Sequence, residues 1–109
     1  MIDAILSAAG FEKDVTYTET LFRSPPSKTF CVYFDDIETD GSDFDCEILN
    51  HSVSVELYAL NKPDKEAEKR LEKALKKSGL HYSKLGRAWI QSEKYYQTVY
   101  VFNYTEKEN

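Results

Sequence analysis

Alternation of apolar and polar positions predicts most of the strands of this chain. Residues 52–59 alternate strictly, which indicates a strand that buries one face. Residues 29–34 carry apolar side chains on both sides and are typical of a central or half-buried strand. Two further strands are predicted at residues 87–91 and 95–104, joined by a polar turn at residues 92–94.

Two segments have instead the periodicity of amphipathic helices. Residues 2–9 place apolar side chains at helical spacing before Gly10, a residue type that commonly ends a helix. In the longer helix, residues 61–78, Pro63 suits the first position and Gly79 stops it. Acids lie near its start, at Asp64, Glu66 and Glu68, and bases near its end, at Lys76 and Lys77, as the helix dipole favours. Its narrow apolar stripe, which we expect to dock on a sheet, consists of Ala67, Leu71, Ala74 and Leu75.

Less regular segments connect these elements. Residues 14–22 are a further strand candidate, and the two prolines within residues 24–27 mark a loop. Residues 35–47 are strongly acidic and contain Asp40 followed by Gly41, a dipeptide that favours a tight turn. We interpret this stretch as a long acidic hairpin loop.

Length and charge narrow the class of protein. The order of elements over residues 1–109 predicts one α+β domain, with a largely antiparallel or mixed sheet and two helices packed against it. The 14 basic and 19 acidic residues give a net charge of −5, which opposes binding along nucleic acid. The sequence lacks both a bilayer-spanning apolar run, which needs roughly 18 residues, and a signal-peptide pattern. We therefore expect no membrane partner and a mature chain that begins at Met1 in a cytoplasm.

Residues with catalytic or metal-binding chemistry are few. Cys31 and Cys46 have no paired-cysteine spacing, and we expect two reduced, partly buried thiols rather than a zinc site. His51 and His81 are far apart in sequence and belong to no nucleophile motif, which favours structural or surface roles. We predict no catalytic residues, no cofactor and no metal, and hence a protein that is not an enzyme.

The acidic loop has a partial match to a calcium-binding loop. Positions 1, 5, 6 and 12 of the calcium-binding motif are matched, and position 3 is glutamate where the motif has aspartate or asparagine. The motif also requires a helix on each side, whereas strands are predicted on both sides here. A solvated acidic hairpin is therefore favoured, and selective calcium binding remains an alternative. The matching residues are Asp36, Glu38, Asp40, Gly41 and Glu47, and the acidic side chains assigned to the loop are Asp36, Glu38, Asp40, Asp43 and Asp45.

Lysines on the long helix give a second weak signal. Glu68 and Glu72 share their face, and pairs four residues apart, such as Glu72 with Lys76, are typical of an ordinary solvated surface. We favour that interpretation over DNA binding by the lysines, which are Lys65, Lys69, Lys73 and Lys76.

The last predicted strand is apolar on both faces. Aromatic side chains dominate one face, and Val99 and Val101 lie on the other. In a domain of this size, a helix would cover one face and a neighbouring subunit or protein the other. The predicted interface comprises Tyr95, Tyr96, Val99, Tyr100, Val101 and Phe102.

About half of the chain carries a family resemblance. A strand that ends in Glu56, Leu57 and Tyr58 leads into an acid-rich helix opened by Pro63 and Asp64. A later segment leads into a final aromatic strand and contains Trp89, Ile90, Ser92, Glu93, Tyr96 and Gln97, followed by Tyr100 and Phe102. With these features, residues 53–104 resemble the small tail-completion proteins of long-tailed bacteriophages, the tail terminator or head–tail joining class.

The resemblance implies a structural virion protein rather than an enzyme. Its subunits would form a homo-oligomeric ring, typically a hexamer, that caps the tail tube and meets the head connector. DNA would pass through without specific binding, and the acidic loop would line that passage and repel phosphate. The protein would reside in the virion, and in the bacterial host cytoplasm during assembly. A small acidic binding or adaptor protein, with a calcium loop or a protein-inhibitor surface, is the alternative, and an enzyme with an unrecognised site also stays open.

Overall fold

Two helices pack on one face of a five-stranded sheet in this structure, a computed structural model that describes residues 1–40 and 47–108. The strand order is β1-β2-β3-β5-β4, and every neighbouring pair is antiparallel except the parallel pair of β1 and β2. The predicted α+β class is confirmed. The elements are α1 (Ile2–Ala8), β1 (Tyr17–Glu19), β2 (Phe30–Asp40), β3 (Glu47–Leu60), α2 (Lys65–Lys77), β4 (Tyr82–Ile90) and β5 (Tyr95–Glu108).

The core lies between the sheet and the two helices. Because side chains alternate along a strand, every second residue of β3 faces this layer, as predicted for residues 52–59. The predicted stripe of α2 is buried against the sheet, and α1 contributes Ile5 and Leu6 beside it. The largest fully buried side chains are those of Tyr100, Leu6, Leu57, Leu71, Leu75 and Val55.

Helix α2 is shorter than the predicted helix over residues 61–78. Asp64 is its N-cap, and the Asp64 carboxylate accepts a hydrogen bond of 3.0 Å from the backbone N–H of Ala67. Pro63 therefore precedes the cap instead of occupying the first helical position. The same carboxylate accepts a 2.6 Å hydrogen bond from Thr29 Oγ1, which ties the start of the helix to the segment before β2. Gly79, with φ of 82°, follows the helix end as predicted.

The acidic stretch is strand over much of its length, which corrects the predicted loop. Residues 35–40 continue β2, and β3 begins at Glu47, six positions before Val53. The antiparallel register from Phe34 to Asp40 gives these residues β3 partners, and this pairing overrides the low strand propensity of aspartate and glutamate. The remaining predicted loop, residues 41–46, lies outside the described residues, with Asp43 and Asp45 in it.

Other strand boundaries also differ from the pattern in the sequence. The strand predicted at residues 14–22 covers only Tyr17–Glu19, because Asp14 and Thr20, with φ of 59° and 69°, bracket the extended backbone. Strand β4 starts at Tyr82, well before residue 87. A register shift between Lys84 and Arg87 interrupts its alternation, and Gly86 adopts a positive φ there.

The hairpin of β2 and β3 extends beyond the helix layer together with the end of β5. We call this three-stranded extension the arm, formed by residues 35–40, 47–52 and 103–108. Ile37 lies on the helix-side face of the arm and is 49% exposed, so the helix layer ends before it. The molecule measures 52 × 28 × 23 Å, and its radius of gyration of 15.1 Å exceeds the value of about 13 Å for a compact chain of this length. Neither helix of the described part is long and apolar enough to cross a membrane.

Candidate interaction surface

The sheet face opposite the helices, which we call the open face, has no helix against it in the described part of the chain. Phe30, Val32 and Phe34 of β2 point to this side, because they alternate with the core residues Cys31 and Tyr33. Phe30 and Val32 are buried there, and Phe34 is 38% exposed. The segment between β1 and β2 folds against one part of this face and covers it only partly. The part that stays uncovered includes the exposed Phe34 and the half-buried Val99 and Val101.

A groove of about 490 Å³ lies where that segment meets the open face. The Phe30 ring stacks on Tyr58 with 5.1 Å between centroids, and it meets the edges of Tyr95 and Phe22 at 5.4 and 5.6 Å. Stacked and edge-to-face arrangements at these distances are the ones that aromatic pairs prefer. Leu21, at the rim, is 72% exposed. The groove thus has a floor of packed aromatic rings and an accessible apolar rim.

Polar groups beside the groove are hydrogen-bonded to one another. Tyr58 Oη donates a hydrogen bond of 2.7 Å to Glu56 Oε1 and accepts one of 2.9 Å from Gln97 Nε2. Burial, followed by the hydrogen bond to Glu56, raises the pKa of Tyr58 to about 12. The phenol therefore stays neutral at physiological pH and is suited to fixed hydrogen bonding instead of proton transfer.

Two residues of the predicted interface lie in the core instead, which corrects the prediction for them. Tyr100 and Phe102 are 0% and 3% exposed and lie in the core, on the face that the helices cover. Tyr96 also faces the helix side, at the end of the sheet, where its half-buried ring packs 4.8 Å from Trp89. The open face carries the other three predicted residues, which are Tyr95, Val99 and Val101, all half-buried.

Glu68 was predicted on a solvated face of α2, and this prediction is wrong because Glu68 is only 2% exposed. Its carboxylate accepts hydrogen bonds from Arg87 Nε at 2.7 Å and from Arg87 Nη2 and Lys84 Nζ at 2.9 Å. These bonds, the Arg87 pair foremost, outweigh burial and lower the pKa of Glu68 to about 2. Glu72 is bound to Lys84 and Tyr100 at 2.8 and 2.7 Å, so the structure does not form the predicted Glu72–Lys76 pair. We call Glu68, Glu72, Lys84 and Arg87 the ionic cluster.

The four lysines proposed as an alternative DNA contact remain exposed on α2. Lys65, Lys69, Lys73 and Lys76 were expected to share a face with solvated glutamates, but the ionic cluster takes Glu68 and Glu72 out of that face. Glu66 is the remaining exposed acid of the helix, and it pairs with Arg70 at 3.3 Å. The solvent face of α2 is therefore more basic than the sequence pattern indicates.

His51 is buried within the arm. Its ring stacks on Tyr104 with 4.2 Å between centroids, its Nδ1 lies 2.9 Å from the Asp35 carboxylate, and its Nε2 lies 3.3 Å from Glu106 Oε1. Both ring nitrogens thus face carboxylates rather than a hydroxyl or thiol, and the arrangement joins the three strands of the arm. His81 is exposed. This placement suits the structural and surface roles expected of the two histidines.

Of the two cysteines, the structure describes Cys31. Cys31 is free and fully buried, and burial raises the pKa of its thiol, which keeps it protonated. Cys46 lies outside the described residues. Asp36 and Glu38 are exposed on β2, and residues 1–40 and 47–108 contain no group of three or more side chains suited to hold a metal ion.

Comparison with known proteins adds no relative to this picture. Neither the models of known protein families nor the curated proteins contain a match to this chain. The open face, its groove, the arm and the basic solvent face of α2 are therefore the features from which a function is inferred.

We expect the ionic cluster to stabilise the fold in a pH-dependent manner. Glu68→Gln removes the charge that Arg87 and Lys84 share and should lower the free energy of unfolding by about 2 kcal/mol at pH 7. Since folding lowers the pKa of Glu68 from 4.5 to about 2, this contribution is present above pH 4.5 and is lost as the pH falls towards 2. Urea denaturation at several pH values measures it.

Glu66→Gln is the matched control. Its side chain is 84% exposed, so its loss should change the free energy of unfolding by less than about 0.5 kcal/mol. Equal destabilisation by the two substitutions, or a Glu68→Gln effect that persists at pH 2, would contradict the assigned role of the cluster.

Proposed function

We propose that this chain is a structural subunit that assembles with copies of itself into a ring, which completes the tail of a long-tailed bacteriophage and joins it to the head. The resemblance over residues 53–104 supports the class of protein. The open face carries the self-association part of the proposal. In this assignment the tail-tube and head-connector proteins are the further partners, and the site of action is the virion.

The open face has the character of a contact surface. Leu21 and Phe34 are 72% and 38% exposed at the groove, next to a floor of packed aromatic rings. Contiguous exposed apolar surface in a small protein marks sites of protein association. A second copy of the chain would remove these side chains from water, which favours association.

The arm supports a ring in a second way. It extends past the helix layer in a molecule 52 Å long, and can therefore reach a neighbouring subunit. A subunit in a ring contacts its two neighbours through different patches, and an elongated, asymmetric shape provides such patches. The acidic end of the hairpin is assigned to the DNA passage, where negative charge would prevent the duplex from adhering.

Self-association is the first test. Light scattering over a concentration series should show a discrete oligomer, with a hexamer as the expected species. Leu21→Ser combined with Phe34→Ser should weaken association at least tenfold, since loss of about 1.4 kcal/mol of apolar burial has that effect. Val15→Ser is the control, because Val15 is 46% exposed but does not line the groove. A monomer at every concentration, or equal effects of the two variants, would argue against the proposal.

Calcium distinguishes the ring subunit from the alternative acidic binding module. We expect added calcium to leave both the mass and the thermal midpoint unchanged, since strands flank the acidic stretch where a calcium loop requires helices. A ligand that binds only the folded chain raises the midpoint in proportion to its saturation. Differential scanning fluorimetry with calcium, and with magnesium for comparison, measures this. A calcium-specific rise would favour the binding module.

A further inference from the structure

The solvent side of α2 carries a row of four lysines. They follow one another at intervals of four, four and three positions, so in a helix of 3.6 residues per turn they stay on one side over a length of about 16 Å. All four are exposed, and none is paired with a carboxylate of the described residues. We call this surface the lysine row, and it consists of Lys65, Lys69, Lys73 and Lys76.

The acids of α2 do not offset the charge of the lysine row. Glu68 and Glu72 are bound within the ionic cluster, on the side of the helix that faces β4. Glu66 is the remaining acid of the helix, and Arg70 pairs with it at 3.3 Å. Lysines three or four positions apart repel one another, and a bound anion relieves this repulsion. The lysine row is therefore suited to contact with a polyanion.

The net charge of −5 is unevenly distributed along the chain. Residues 35–52 and 103–108, which include the arm, contain nine of the 19 acidic residues and one of the 14 basic residues. The remaining 13 basic and 10 acidic residues give the rest of the chain a net charge of +3. The arm extends beyond the helix layer, and the Debye length is about 8 Å at physiological ionic strength, so most acids of the arm are screened from α2. The net negative charge of the whole chain therefore does not prevent α2 from attracting an anion.

The composition of α2 distinguishes among the polyanions. Protein interfaces are depleted of lysine and are anchored by aromatic side chains, and α2 contains no aromatic residue. A helix at a membrane surface needs an apolar face against the lipid, whereas the apolar stripe of α2 is buried in the core. Single-stranded nucleic acid is bound by stacking on aromatic side chains, which α2 also lacks. Duplex nucleic acid needs only cations, since about 16 Å of its length presents about five phosphates per strand.

We propose that the lysine row binds the phosphate backbone of duplex nucleic acid without reading its sequence. Contacts to the backbone alone carry no sequence information, and lysine contacts a phosphate as a point charge. The inference goes beyond the proposed ring and does not require self-association. It revises the preference for an ordinary solvated surface, which depended on Glu68 and Glu72 sharing the face of the lysines. In the proposed ring, α2 would attract the passing duplex and the acidic arm would repel it, so the duplex would be held only loosely.

Binding of short labelled DNA duplexes to the full chain, followed by fluorescence anisotropy at several salt concentrations, tests the proposal. Two duplexes of unrelated sequence should bind equally. The logarithm of the dissociation constant should rise with the logarithm of the salt concentration with a slope of about 3 to 4, because each of four phosphate contacts contributes about 0.9. Lys69→Gln combined with Lys73→Gln should weaken binding at least tenfold at low salt and reduce the slope by about two.

Lys94→Gln combined with Lys107→Gln is the matched control. Both lysines are exposed and lie outside α2, and the change in net charge equals that of the double variant in the lysine row. Its affinity and its slope should equal those of the wild type. Glu66→Gln removes the remaining acid of α2 and should strengthen binding severalfold. Because all the substituted side chains are exposed, the thermal midpoints without DNA should stay close to that of the wild type and show that each variant is folded.

The remaining outcomes overturn the inference. Equal weakening by the control pair, a slope near zero, or no binding at low salt would show that the lysine row does not hold a duplex. Polyglutamate, and vesicles of phosphatidylcholine with phosphatidylserine, are the competing probes. If either binds the row as tightly as the duplex, the partner is an acidic protein or a membrane and the assignment to nucleic acid is wrong. Light scattering reports self-association separately, so the proposed ring and duplex binding can fail independently.

Discussion

The pairing of β3 with strands on both sides is the interaction on which the rest of the structure depends. Strand β3 is bonded along the whole of β2 on one side and the whole of β5 on the other. This register decides which residues of the outer strands face the helices and which form the open face, because side chains of paired residues point the same way. A shift by one residue would exchange Tyr100 with Val99 and bring a polar side of β3 towards the core. The register of β3 with β2 and β5 thus determines both which side chains form the core and which form the aromatic groove.

The second constraint is electrostatic and attaches the edge strand β4, which has few buried apolar side chains. Most residues of β4 are exposed, so apolar burial contributes little to its attachment. Glu68 compensates by joining α2 to β4 through Arg87 and Lys84, and Thr98 adds a bond of 3.2 Å from β5. A buried carboxylate with charged donors on two sides fixes orientation as well as distance. The helix, the edge strand and its neighbour are therefore positioned together.

Patterns with local causes were predictable from the sequence, and features set by distant pairing were not. The stripe of α2 and the alternation of β3 depend on residues close in the chain, and both are confirmed. The strand character of residues 35–40 depends on β3, and the burial of Glu68 depends on Arg87, 19 positions later. A signal for Glu68 existed, since it follows Ala67 and precedes Leu71 by three positions at the margin of the stripe. The sequence also indicated two apolar faces on β5 without deciding which one the helices cover.

The antiparallel register also determines where the carboxyl end of β5 lies. Glu108 pairs with Glu47, so the last described residue is at the far end of the arm. Met1 is the N-cap residue of α1 and lies by the helix layer. A fluorescent or electron-dense label fused after the last residue would therefore mark the tip of the arm, whereas a label at the amino terminus would mark the helices. Two such fusions would give the orientation of a subunit within any larger particle from low-resolution images alone.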